Sequence, residues 1–155
     1  MKIKKSLYIP MVVVVAALTA CDAGGSSPSS VEDEAAKLAA DSMRVISSAP
    51  AQSVDHANWA SCSEETPGNR RFMYERSVQL TIGKADQQSA LDEVSAAWKK
   101  AGYSLRGAHP GDPAVRVDIP GGDWLLTLQP SDDDSHMFMI VNSGCVHVSP
   151  APKTG

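Results

Sequence analysis

No stretch of this chain approaches the roughly twenty consecutive apolar residues that a membrane-spanning helix needs. The longest apolar run, Leu7 to Leu18, is interrupted by Pro10 and totals about twelve residues. Motifs for several common chemistries are absent as well. There is no Gly-x-Ser-x-Gly turn to present a serine nucleophile. Neither Gly-x-x-x-x-Gly-Lys-Ser/Thr nor Gly-x-Gly-x-x-Gly occurs, which removes two ways of cradling phosphate. Gly121-Gly122 alone reads as a turn. Cysteines are few, three in 155 residues. Positive charge is scarce too, with 14 Lys and Arg against 18 Asp and Glu. Three of those lysines (Lys2, Lys4, Lys5) lie in the first twenty residues, which hold no acid. Without that segment, 11 basic residues face 18 acidic ones, a net charge of −7. That balance argues against nucleic acid as a partner and against electrostatic adhesion to anionic lipid.

What is present at the start is a basic segment, then the apolar run, then Leu18-Thr19-Ala20-Cys21. The first two have signal-peptide character and length. The last four residues resemble the bacterial lipobox. This resemblance implies that the Cys21 thiol receives a diacylglyceryl group, that residues 1–20 are removed, and that the protein is held on the extracytoplasmic face of a cell membrane. Two acyl chains on one residue suffice for stable attachment. No twin-arginine pair is present, which favours the general secretory route. In a cell with two membranes, Asp22 directly after the cysteine resembles an inner-membrane retention signal.

Lipidation of Cys21 leaves Cys62 and Cys145 as a pair, and outside the cell a disulfide between them is permitted. A closed loop of roughly 80 residues would stabilise the fold by about 4–4.5 kcal/mol in the chain-entropy picture. The alternative is two free thiols, redox-active or metal-binding, but the spacing matches neither a Cys-x-x-Cys motif nor a zinc knuckle.

Hydrophobic residues make up 43% of the chain, enough for one core. Residues 21–30 read as the lipidated cysteine and a flexible linker rich in Gly and Ser, reaching about 30 Å when extended. Residues 31–149 read as one globular domain. A helix is expected from Val31 to about Ser48, capped by Ser30, with Val31, Ala35, Leu38, Val45 and Ile46 on its apolar stripe. Residues 50–70 read as irregular. From Phe72 to Ile82 the alternation is strict. Phe72, Tyr74, Val78, Leu80 and Ile82 share one face, which Arg76 interrupts, and Glu75, Ser77, Gln79 and Thr81 share the other. At Arg76 the readings are an anion contact, or more simply a bulge or a side chain that snorkels at the sheet margin. A second helix follows, with Asp86 as N-cap, a stripe of Leu91, Val94, Trp98 and Ala101, and Gly102 as the C-terminal stop. Strands are expected at Tyr103–Arg106, Val115–Ile119, Trp124–Gln129 and His136–Val148, then a disordered tail over residues 150–155. The expected fold class is α+β. Two amphipathic helices lie on a mostly antiparallel sheet as a two-layer sandwich, in the order α-β-α-β-β-β-β, with a meander at the C-terminal end.

Three short segments carry a family resemblance: Trp59-Ala-Ser-Cys62, Ala101-Gly102-Tyr103 and Ser143-Gly144-Cys145-Val146-His147. Together they resemble the LppA-type small lipoproteins of actinobacteria over roughly residues 35–148. The resemblance implies a cell-surface lipoprotein with Cys62 and Cys145 bridged. It brings no catalytic residues with it.

Among possible sites, Asp132-Asp133-Asp134 followed by His136 offers oxygen ligands for Ca²⁺ or Mg²⁺, but the EF-hand glycine and closing glutamate are missing, and a solvated hairpin tip is the simpler reading. His136 and His147 would stand about 36 Å apart along one continuous strand, too far to share an ion. His56 and His109 sit in segments read as loops. No catalytic or metal-binding residue and no cofactor is therefore expected. The function that follows is a non-enzymatic binding module at the cell envelope. Its partners would be the membrane, through the lipid, and an envelope protein or cell-wall component. The face carrying Glu75, Ser77, Gln79 and Thr81 is the candidate surface. A small-ligand carrier, or an enzyme with a site invisible in sequence, is the alternative.

Overall fold

The computed structural model describes residues 25–62, 70–106 and 113–155. Cys21, the segment before it, Pro67 to Asn69 and His109 therefore lie outside the described residues. Two helices, α1 (Pro28–Met43) and α2 (Lys84–Lys100), accompany six strands: β1 (Gln52–Ser61), β2 (Phe72–Leu80), β3 (Ser104–Leu105), β4 (Val115–Asp118), β5 (Leu125–Pro130) and β6 (Met137–Asn142). The strands form one sheet in the order β1-β2-β6-β5-β4-β3, and every pairing is antiparallel. The fold is the expected α+β class, and β4, β5 and β6 form the expected meander. It contains one strand more than the sequence pattern indicated. Residues 52–61, expected to be irregular, are β1.

Helix α1 starts earlier and stops sooner than its apolar periodicity suggests. Ser27, not Ser30, is the cap, and its hydroxyl accepts from the Ser30 backbone N–H at 3.2 Å. Pro28 follows at the first helical position, where its fixed φ suits the helix and its missing N–H costs nothing. Because the helix ends at Met43, Met43 and Ile46 are buried and Val45 turns out, 40% exposed. In α2 the cap is Gly83, with no side-chain bond, and Asp86 lies in the first turn. Gln87 fastens that end instead, its amide donating to the Ile82 and Asp134 carbonyl oxygens. Ala101 is exposed, and the stripe is completed by Ala90. Gly102, at φ +81°, closes the helix, and the Tyr103 N–H donates to the Trp98 carbonyl at 3.0 Å.

The core lies between the helices and one sheet face. Val31, Ala35 and Leu38 of α1 and Leu91, Val94 and Trp98 of α2 meet Tyr74, Val78, Met139, Val141, Leu126 and Val117 from the strands. Buried Trp98 donates to Ser42 Oγ at 3.0 Å, and Ser42 in turn donates to the Leu38 carbonyl at 2.7 Å. The indole N–H is thereby satisfied where no water reaches, and α2 is tied to α1.

Cys62 and Cys145 are bonded, as expected, with S–S 2.01 Å and Cα–Cα 6.2 Å. The bridge spans β2, since Cys62 follows β1 and Cys145 follows β6. The last strand ends at Asn142, because Gly144 turns the chain at φ +64°, and a Cβ there would lie 2.6 Å from the Asp123 Cβ. His136 and His147 therefore do not share a continuous strand. Two segments expected to be loose are held. Ser26 pairs in parallel with Val148, and the Gly25 backbone lies against His147 so closely that a Cβ would meet its carbonyl oxygen at 2.7 Å. In the tail, Thr154 makes a parallel bridge to Trp59.

Candidate functional site

Strands lie about 4.8 Å apart and packed helices about 10 Å apart, so two helices cover roughly four strands. Here α1 rests on β6 and β2, and α2 rests on β5 and β4. The edge strand β1 is left projecting past the helical layer. Its residues are exposed from Gln52 to Asn58, and only Trp59 is buried. The outer flank of α1, the projecting strand and the second half of β2 enclose a groove of about 260 Å³.

One wall is α1, which presents Ala36, Ala39, Ala40 and Met43. The first three fall at i, i+3 and i+4 and so share one flank, where their small side chains leave the space open. The opposite wall is Gln52 to Val54, and Val54 is 53% exposed. Arg76 and Val78 lie beneath. Arg76 stands on the helix-facing side of β2, between Ala57 on β1 and Val141 on β6. Its Nε is buried and has no hydrogen-bond partner. Among the described residues no carboxylate stands within ion-pair distance of it. A buried donor left without an acceptor costs roughly 1–3 kcal/mol, more when charged. The bulge anticipated at Arg76 belongs to its neighbour, where the β1 register shifts between Val54 and His56.

In two other clefts among the described residues, charged side chains are engaged within the protein. Beside the disulfide, Arg106 contacts Asp118 at 2.8 Å and Arg71 contacts Asp123 at 3.9 Å. Midway along α2, Glu93 accepts the Ser47 N–H at 2.7 Å, which holds its carboxyl below the usual range.

Two of the three adjacent carboxylates at the β5–β6 hairpin order the turn. Asp133 accepts from the Ser131 hydroxyl and from the hydroxyl and N–H of Ser135, which holds it far below the usual carboxylate range. Asp134 pairs with Lys84 at 2.6 Å. The Ser135 hydroxyl also lies 2.6 Å from His136 Nδ1, but Asp133 contacts the serine and not the imidazole. In a hydrolytic triad the carboxylate orients the histidine, which this arrangement does not do. Among the described residues no group of three His, Cys, Asp or Glu side chains is placed to hold a metal ion.

The outer face of β2 is less free than its polarity suggests. Ser77 is 2% exposed, flanked by His56 on β1 and Ile140 on β6. Glu75 accepts from His56 Nε2 at 2.9 Å and from the Asn142 amide at 3.3 Å. Of the residues expected to form the binding surface, these two are occupied by the protein itself. Sequence reasoning singled out Arg76 but gave the groove around it no place, since its second wall is the unexpected strand. The signal available was the pair of the interrupted apolar face and the alanine-rich flank of α1.

No family model matches this chain, and neither a curated protein nor a solved structure is found similar to it.

Proposed function

We propose that this protein is an extracytoplasmic lipoprotein, held at the membrane through Cys21, whose domain is a non-enzymatic binding module with the groove beside α1 as its ligand-facing surface. The anchor rests on the basic segment, the apolar run and the Leu18-Thr19-Ala20-Cys21 sequence. The resemblance to LppA-type lipoproteins belongs to the same proposal. Among the described residues no helix is long and apolar enough to cross a membrane. The binding role rests on one observation: an arginine with a buried, unpartnered Nε at an open groove. A guanidinium left without a carboxylate partner beside an open groove keeps its reachable donors for an anion from outside. This favours a ligand-binding role over a face-to-face contact through the outer side of β2.

Two measurements test the reading. Intact mass of membrane-extracted protein should equal residues 21–155 plus acyl chains, and Cys21→Ser should move the protein to the soluble fraction. An unacylated mass removes the anchor. In a deletion strain, the Ala40→Leu protein, whose leucine fills the groove from an exposed helix position, should fail to correct the deletion phenotype that the wild-type protein corrects. A fully active Ala40→Leu protein removes the groove from the proposal.

A further inference from the structure

We infer that the groove beside α1 binds a small carboxylic acid, its carboxylate held by Arg76 and its short hydrocarbon part lying along the alanine flank of α1. This rests on the binding-module reading above and adds the ligand class.

The charge comes first. Arg76 brings one permanent positive charge, and no acid lines the groove. The remaining polar lining side chains, Gln52 and Ser53, are neutral. One cation without a second compensates a single negative charge, which selects a monoanion over a phosphate dianion. A guanidinium offers a planar fork of donors that matches a carboxylate in two parallel hydrogen bonds. Nε itself is buried, so the fork that meets the groove is the pair of terminal guanidinium nitrogens.

Shape and polarity complete the class. Apart from Arg76, Gln52 and Ser53, the lining is Ala36, Ala39, Ala40, Met43, Val54 and Val78. These six offer apolar contact only, and the two polar side chains share one wall with Val54. A sugar, with hydroxyls on every side, would leave most of them against apolar carbon, and an ammonium group would lie near Arg76 with no acid to receive it. At about 260 Å³ the space lies below the roughly 300–1,000 Å³ of sites for drug-sized molecules. A chain of a few carbons fits that limit, and methionine adapts to chains of different length.

The test is a titration of the purified full chain with butyrate, hexanoate and octanoate, followed by NMR at the Arg76 Nε–H signal and the Ala36 and Ala40 methyls. Saturable shifts at all three positions are expected, with affinity in the range of roughly 0.1–1 mM. Hexylamine should give none, and methylphosphonate at a pH where it is a dianion should bind more weakly than hexanoate. Arg76→Gln should weaken hexanoate at least about tenfold. Ala40→Leu, which leaves the arginine in place, should do the same by occupying the space. If no carboxylate shifts the Arg76 signal, if Arg76→Gln binds hexanoate as the wild type does, or if methylphosphonate binds more tightly, the ligand class is wrong. The binding-module reading fails separately, on an active Ala40→Leu protein in cells.

Discussion

Arg76 shows how one side chain is held by competing demands. It occupies a position that β2 alternation reserves for the core, between Tyr74 and Val78, both 4% exposed. An apolar residue there would pack against Ala57 and Val141 with no donor left unmet. Arg76→Met is therefore expected to leave stability unchanged or to raise it by up to about 1 kcal/mol, read by urea unfolding. A loss of about 2 kcal/mol or more would mark the guanidinium as a structural pin. The sequence made the interruption visible, but not its meaning. Alternation reports which face a residue takes, whereas the missing acceptor is a property of neighbours far away in the chain. Trp98 was legible as a core anchor because helical spacing alone places it. Its bond to Ser42 was not, because the two residues lie 56 apart in sequence.

Among the elements, β1 was the one that the pattern missed, and the reason is physical. Periodicity records burial on one side, and a strand projecting beyond the helical layer has little to record. Gln-Ser-Val-Asp-His-Ala-Asn carries no apolar alternation because all seven residues are exposed. What holds β1 is its ladder to β2, the disulfide that follows it, and His56 at its register shift. His56 lies between Glu75 at 2.9 Å and Asp55 at 3.1 Å, and these carboxylates, Glu75 foremost, raise it above its ordinary 6.5. Its contribution is fully present below the ordinary value and is lost as pH rises through the raised one. NMR titration should place the His56 midpoint above 6.5, and Glu75→Gln should lower it. Amide exchange over residues 54–57 should quicken once the imidazole is neutral. Removing the disulfide with Cys62→Ser and Cys145→Ser should cost about 3–4 kcal/mol in urea unfolding, since the loop it closes is long.

For the molecule as a whole, the layer arithmetic decides where a site can be. The α+β class, both helices and the C-terminal meander could be read from apolar spacing, because each buries a face against another element. The groove could not, because it exists only where a six-stranded sheet outruns two helices. Its open space is what remains after the core is complete, and its shape is set by which strand ends up at the edge. The order β1-β2-β6-β5-β4-β3 puts β1 there and brings Arg76 to the flank of α1.

Under the proposed lipidation of Cys21, the contact between Gly25 and His147 also sets the length of the leash. Three residues lie between Cys21 and Gly25, so a fully extended tether spans at most about 14 Å. That is half the reach that a linker running to residue 30 would have given. A domain so moored would be restrained in how far it tilts and turns above the lipid surface. The mooring point adjoins the start of α1, whereas the groove begins at Ala36, about 12 Å further along the axis. Under the proposed lipidation, the part of the domain tied nearest the membrane is its first fixed residue, and the groove opens further along the same helix.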